Sequence, residues 1–470
     1  MPAYTLSPTT HEGSRRVCSW RGELGVSPVD PQLAAARPDG RLPYTPCVSS
    51  RRAVLSSLCA LVVLAACSGG GASSSSTSGP STSAVTTTTR PDDGALVLGV
   101  ITPTGGSAAE LGLSQRDAVQ LAVAEINADG GVLGQPVRTV IRDEGDNPAT
   151  AELAVQDLVQ AGVDAIIGPS SSLDTLGTLA TAVSAGVVTC SPTASALALD
   201  DFPDAGLFVR TVPSDSLQAV AMARVVEETG SAKAMVVYLD DAYGRPFAQA
   251  VEASMRAEGT AVSAAIGFTG DAASFSDAVD AVMANKPDTV VVVADSVTGP
   301  AIISAIDGDA VGPKPTYVVN DAIRRPASQT APFSSSLAAR ITGVSPIAYP
   351  TQPAFVKALH GVDPDATGLY SQNAYDCVNL IALAAQASGV THGSALAAAV
   401  SPASRSGSSC GSFPECNSEL TAGRNIDYDG PGGVLALDAN GDVSTAVFER
   451  FGFDSSGRDV RTGDITVDSG

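Results

Sequence analysis

The sequence predicts an α/β protein built from two doubly wound parallel-sheet lobes. Three observations carry that expectation. Short apolar runs alternate with segments of helical period from about residue 95 onward. The alternation occurs in two consecutive series, separated near Pro213. No repeat of 20–50 residues is visible, which argues against a solenoid. Alternating strands and helices imply parallel sheets covered on both faces.

The first series opens with the apolar run Leu96–Ile101 and the loop Thr102-Pro103-Thr104-Gly105-Gly106. A helix follows over Gln115–Asn127, with Ala118, Leu121, Ala122 and Ile126 on one face. Ala128-Asp129-Gly130-Gly131 stops it. Strand Val137–Ile141, helix Ala149–Ala161, strand Val163–Gly168, helix Leu173–Ala185 and strand Val187–Thr189 complete the series. The second runs helix Ser216–Thr229, strand Ala234–Leu239, helix Arg245–Glu258, strand Ala261–Ile266, helix Phe275–Asn285, strand Thr289–Val293, helix Gly299–Ile306 and strand Thr316–Val319.

The chain of 470 residues has 44% hydrophobic but only 4% aromatic residues, so its core is built from Ala, Val, Leu and Ile. A formal net charge of -22 argues against nucleic acid as a partner, because phosphates attract Lys and Arg. The eight cysteines form no CxxC pair, and His11, His360 and His392 are far apart. No metal site and no cofactor is expected.

An export signal precedes the folded part. Arg51 and Arg52 lead into the mostly apolar run Ala53–Ala66, too short to span a bilayer but of signal-peptide length. It ends Leu64-Ala65-Ala66-Cys67 and is followed by Ser68-Gly69-Gly70-Gly71. This resembles a bacterial lipobox, which implies cleavage before Cys67 and lipidation of its sulfur. Ser50-Arg51-Arg52-Ala53-Val54-Leu55 also resembles a loose twin-arginine motif, so Sec and twin-arginine export both stay open. Residues 1–66 are thus read as an N-terminal extension with a lipoprotein signal peptide. Residues 67–94, rich in Ser, Thr and Gly, are read as a flexible tether. Signal peptides start close to an initiator, and Val48 is the expected start.

Ligands of open α/β sheets sit beyond the carboxyl ends of the strands. The residues there are Gly168-Pro169-Ser170-Ser171-Ser172, Ser191-Pro192-Thr193-Ala194-Ser195, Asp240-Asp241-Ala242-Tyr243-Gly244, Ala294-Asp295-Ser296 and Asn320-Asp321. Hydroxyls and helix N-termini on one lobe suit a carboxylate, and carboxylates on the other suit an ammonium group. Each of these side chains also suits an ordinary helix cap. Only as a set do they outline a zwitterion.

With these segments, the chain resembles the type I periplasmic-binding-protein family and is most similar to leucine/isoleucine/valine-binding substrate-binding lipoproteins of ABC importers. The carrying segments are Gly99–Gly105, Glu125–Gly131, Asp146-Asn147-Pro148, Ile167-Gly168-Pro169, Phe208–Asp215, Tyr243-Gly244, Tyr428-Asp429-Gly430 and Leu437–Asp442. The resemblance implies three crossovers, near Pro213, Val344 and Ala446. Lobe one is then 95–213 plus 345–445, and lobe two 214–344 plus 446–470. It implies that Ser172, Thr193 and Ser195 hold a ligand carboxylate, that Asp321 holds the ammonium and that Tyr243 closes over the ligand. Asp295 stands where the family often has an aromatic, which leaves the ligand's side chain open. The implied function is capture of a small amino-acid-like ligand by hinge closure and delivery to ABC transporter permease subunits. The protein would be exported and lipid-anchored on the outer face of the cytoplasmic membrane.

Cys410 and Cys416 flank a loop-like stretch and are expected to form a disulfide. Cys190 ends the fourth strand and Cys377 lies on an expected helix of the same lobe, and the two form either a second bond or two buried thiols. Gly407-Ser408-Ser409-Cys410-Gly411 matches G-x-S-x-G, but without the strand and helix a hydrolase elbow needs it reads as a Ser/Gly loop. The chain is therefore read as a binding protein, not an enzyme. The alternative is a ligand-binding sensor for amino acids, amides or urea. Mass spectrometry of the native protein is expected to yield no peptide from residues 1–47, and one such peptide would overturn the start at Val48.

Overall fold

The computed structural model describes residues 92–270, 272–325 and 330–468. The signal peptide, Cys67 and most of the tether lie outside the described residues. At the near end of the tether, the Asp92 carboxylate accepts hydrogen bonds from the Thr391 amide and hydroxyl at 3.0 and 2.9 Å.

Lobe one is built on a five-stranded, wholly parallel sheet of order β2-β1-β3-β4-β5. Its strands are β1 (Val97–Thr102), β2 (Arg138–Asp143), β3 (Ala165–Ile167), β4 (Val188–Ser191) and β5 (Phe208–Arg210). Helices α1 (Ala109–Ala128), α2 (Pro148–Gln160) and α3 (Ser172–Ala185) connect them. The period of two along β1 sorts its side chains. Leu98 and Val100 join Ala118, Ala122 and Ile126 of α1, while Ile101 joins Val155 and Leu158 of α2.

Lobe two repeats the winding. Helix α4 (Asp215–Glu228) leads to β6 (Ala234–Leu239), α5 (Gly244–Ala257), β7 (Val262–Phe268), α6 (Ala272–Asn285), β8 (Thr289–Val293), α7 (Thr298–Asp309) and β9 (Thr316–Val319). Phe247, Val251 and Met255 are buried at successive turns of α5, and every residue of β8 is buried.

Beyond Val319 come α8 (Ser335–Ala338), β10 (Ile341–Pro346), α9 (Pro353–Val362), α10 (Ser371–Ser388), α11 (Gly393–Val400), β11 (Ser408–Cys410), α12 (Phe413–Thr421), β12 (Ile426–Tyr428), β13 (Thr445–Phe453) and β14 (Asp459–Asp468). The second sheet has the order β14-β13-β10-β9-β8-β6-β7. It is parallel except for the antiparallel β13 and β14 at one edge. Helices α9 and α10 pack on α1. The chain thus passes between the lobes three times: between β5 and α4, between β10 and α9, and between β12 and β13.

Two expectations are corrected here. The stretch around Cys410 is not a loop, since β11 pairs in parallel with β12 and α12 starts at Phe413. A strand and a helix therefore do flank this segment. Ser409 nevertheless lies within the strand, opposite Asp427, and not on the sharp turn a nucleophile elbow needs. Cys410 and Cys416 form a disulfide that ties β11 to α12, and Cys190 and Cys377 form a second that ties β4 to α10.

Two glycines explain sequence motifs physically. Gly168 has φ +99, and a Cβ there would lie 2.0 Å from the Ile101 carbonyl oxygen. Gly430 packs on the fully buried Asp376, whose carboxylate accepts from the Tyr428 hydroxyl at 2.7 Å and the Gly432 amide at 2.9 Å.

Burial pushes Asp376 up to about 8 and Asp442 up to about 6. Burial also raises Glu144, which accepts from the Ser170 and Ser171 amides. A carboxyl whose folded pKa exceeds its unfolded value binds its proton more tightly when folded. Its contribution is fully present below about pH 4 and is lost as pH rises through the folded value. Asp143 works oppositely, because hydrogen bonds from Thr104 and Gly145 hold it low. The melting temperature is therefore expected to peak near pH 5 and to fall by several degrees toward pH 8. A thermal-melt series that is flat or rises over this range would contradict it.

Candidate functional site

The site lies between the lobes, where the carboxyl ends of both sheets face one another. Each sheet reverses its strand order there, at β1/β3 in lobe one and β6/β8 in lobe two.

On lobe one, α3 begins at Ser172, directly after the Ser170-Ser171 turn, with Ser171 capping the Asp174 amide. The Ser172 hydroxyl accepts from the Ser195 and Ala196 amides at 3.1 and 3.2 Å. It holds the loop after β4 in place and keeps its one proton for another acceptor. The Thr193 hydroxyl donates to the Ser170 carbonyl at 2.9 Å and accepts from Gln115 at 3.3 Å. Gln115 in turn accepts from the Ser170 hydroxyl at 2.6 Å. The Thr193 side chain therefore links two loops and has no proton left for a ligand.

The buried Arg210, at the end of β5, fixes this loop from below. It donates to the carbonyls of Ala194 and Ala196 at 3.3 and 3.2 Å, to Asp442 at 2.6 Å, and to Asp200. Two motif segments far apart in sequence, Phe208–Asp215 and Leu437–Asp442, thus meet through one guanidinium.

On lobe two, Asp321 follows β9 and accepts from the Gln218 amide at 2.9 Å. Burial raises its pKa, and Gln218 opposes the rise. Tyr243 precedes α5 and stacks edge-on against Phe247, with ring centroids 5.9 Å apart. Burial raises its phenol well above the ordinary range, assisted by the charges of Asp215 and Asp321. Ser172, Ser195, Tyr243 and Asp321 thus come together.

Asp295 does not join this group. It is exposed, and its carboxylate accepts from the Val297 and Thr298 amides at 2.7 and 2.6 Å, capping the start of α7. Its placement in the ligand set rested on position alone, and local capping takes the carboxylate instead.

Two residues of the cleft escaped the sequence reading. Asp215, the first residue of α4, is fully buried beside Ser195, Tyr243 and Asp321. Burial, and next the charge of Asp321, push it up to about 7. Tyr370 caps α10 in a left-handed conformation, φ 49 and ψ 24, which a bulky residue adopts only when its surroundings enforce it. Its amide donates to the Ala348 carbonyl at 2.6 Å, and its phenol, raised chiefly by burial, senses Asp321. The phrase Ser214-Asp215 reads locally as a helix cap, so only the fold reveals that Asp215 faces the cleft.

Two lobes that meet over a polar cleft, joined by three passages, have the architecture of a solute-binding protein. Residues 95–442 match the Periplasmic binding protein family, and the chain belongs to it, as a type I protein of the Leu/Ile/Val-binding kind. The chemotactic signal transduction system substrate-binding protein BasB of Halobacterium salinarum is 28% identical over 346 residues, 71% of this chain and 81% of its own. LivJ, a branched-chain amino acid transporter substrate-binding protein of Streptococcus pneumoniae solved with isoleucine, superposes with a TM-score of 0.60 at 20% identity, covering 80% of this chain and 99% of LivJ. An ABC transporter solute-binding protein of R. palustris, solved with 4-hydroxybenzoate, superposes with a TM-score of 0.62 at 18% identity, covering 80% of this chain and 97% of its own. These two likenesses show the fold. No helix among the described residues is long and apolar enough to cross a membrane.

The Arg210 clamp carries a stability prediction. Arg210→Met leaves Asp442, Asp200 and two carbonyls without their donor. It is expected to cost about 3 kcal/mol or more, measured by urea unfolding. A loss under about 1 kcal/mol would contradict a buried clamp.

Proposed function

We propose that this protein is the extracytoplasmic binding subunit of an ABC importer, that it takes an amino-acid-like ligand by hinge closure, and that it is lipid-anchored through Cys67. The observation that carries the ligand reading is the pairing of unlike ends across one cleft. Ser172 and the start of α3 stand on one lobe, and Asp321 on the other. In this reading Ser172 donates to the ligand carboxylate, whose charge the helix N-terminus favours. Asp321 accepts from the ammonium, and Tyr243 covers the ligand. Thr193 serves by shaping the loop, and Ser195 by its position beside Tyr243.

Closure follows from the ligand's differential affinity. Only the closed form presents both lobes to one small molecule, so binding stabilises that form. Delivery to permease subunits then requires a partner that recognises the closed protein.

A sensor is the second reading, favoured by one observation: BasB, a relative along most of its length, is named for chemotactic signal transduction. Membrane permease subunits that co-purify with the ligand-loaded protein support import, and a signalling partner supports sensing.

A thermal-shift screen of the purified protein against L-amino acids, small amides, diamines and benzoate tests the ligand class. A ligand that binds only the folded state raises the melting temperature. Trp20 is the only tryptophan and lies outside the described residues, so an external dye is the reporter. The expected result is a shift with an α-amino acid that Ser172→Ala and Asp321→Ala each abolish. A shift with benzoate alone would overturn the zwitterion reading. Cys67→Ala is expected to move the protein from the membrane to the soluble fraction, and unchanged membrane recovery would overturn the anchor.

A further inference from the structure

The three passages between the lobes border a cavity of about 220 Å³. Pro213 of the first passage, Ile347 of the second and Ala446 at the end of the third all line it. Ser172, Ser195, Asp215, Tyr243 and Asp321 do not, so this space is separate from the cleft. Leu435 and Ala446 are buried in its wall, while Val434 and Val447 are 57% and 42% exposed and mark its mouth.

The lining selects for an uncharged occupant. Among the described residues no ionisable side chain lines the cavity, in a chain of net charge -22. An ion would lose hydration there and find no counter-charge. A neutral apolar molecule gives up little on entry and buries its surface. An engineered apolar cavity of roughly 150 Å³ takes benzene, so this one has room for about one substituted ring.

The wall is incomplete in its hydrogen bonds as well as in its packing. Asn373, in the first turn of α10, lines the cavity and is 6% exposed. Its amide nitrogen donates to the Thr211 carbonyl at 2.8 Å, and its own backbone carbonyl accepts from the Thr211 hydroxyl at 2.8 Å. Gln372 beside it donates to the Ile347 carbonyl at 2.7 Å. The first turn of α10 thereby grips two of the three passages. The side-chain oxygens of both amides are buried without a partner. Folded interiors are close-packed, and their buried polar groups are mostly bonded. Both rules are broken at one place, where the passages meet.

We propose that this cavity is a second ligand site, for a neutral apolar molecule the size of a substituted benzene, and that its occupant stiffens the hinge. The proposal does not depend on the reading of the cleft. Any change in the angle between the lobes turns the three passages relative to one another. A molecule in contact with all three fits one such angle best, and its binding favours that angle.

The test follows the purified protein with toluene as the probe, by thermal melting and by peptide-resolved amide hydrogen exchange. Toluene near its solubility limit is expected to raise the melting temperature by about 2 °C or more. It is expected to slow exchange roughly threefold or more in residues 211–212, 347–349 and 445–447, while the cleft loops 170–172 and 193–196 keep their rates. Benzenesulfonate, a ring of the same size with a charge, is expected to leave the three passages unprotected. Val434→Trp fills the mouth from a largely exposed position and is expected to abolish both toluene effects. Val447→Trp fills it from the other side and carries the comparison if Val434→Trp folds poorly.

No melting shift, or slowing confined to the cleft loops, would overturn the site. Toluene effects that survive in both folded variants would do the same. A melting shift without slowing at the passages would overturn the hinge role. Protection of the passages by benzenesulfonate, with the cleft loops unchanged, would overturn the neutral-ligand assignment.

Discussion

One buried guanidinium organises the cleft. Arg210 lies at the end of β5, where lobe one's sheet ends and the first passage to lobe two begins. Its charge is out of water, so it must be matched, and it takes Asp200 and Asp442 to do so. Its remaining donors hold the carbonyls on either side of Ser195. The same side chain thereby sets the loop after β4 and secures the stretch that leads into the third passage. The residues that follow continue the work. Thr211 exchanges hydrogen bonds with Asn373 of α10, Ser214 caps α4, Asp215 enters the cleft, and Gln218 supports Asp321. One short segment thus carries the clamp, the hinge, the cap and two residues of the site.

The cleft's electrostatics follow from where the charges are satisfied. Cations close to it are paired with two acids each, while Asp215 and Asp321 are left with neutral donors at most. The start of α3 faces the same space with the positive end of its dipole. The result is polarity with a direction, with hydroxyls and a helix N-terminus on lobe one and two buried acids on lobe two. Stability given up at such a site is recovered when a suitable ligand binds.

The alternation of strands and helices was readable because parallel sheets bury both faces and leave long runs of Val, Leu and Ile. Strands β6, β8 and β9 fall on the expected residues for that reason. A helix at Cys377 was expected, and α10 is that helix, but its bounds were not readable from an amphipathic period. Its residues Ser371–Ala385 are all buried, so no polar face marks the period. Strand β11 was missed because Ser408 and Ser409 have no strand propensity, and pairing with β12 supplies what composition does not.

The sequence by itself determined the two wound lobes and placed Ser172, Ser195, Tyr243 and Asp321 beyond strand ends, because these follow from period and position along the chain, while the fold family came from the resemblance of its motif segments. Only the tertiary structure decided which of them share a space. It spent Thr193 on a loop contact and Asp295 on a helix cap, and it placed Asp215 and Tyr370 in the cleft. Capping and ligand binding draw on the same short polar side chains, and the two uses look alike until burial and distance separate them.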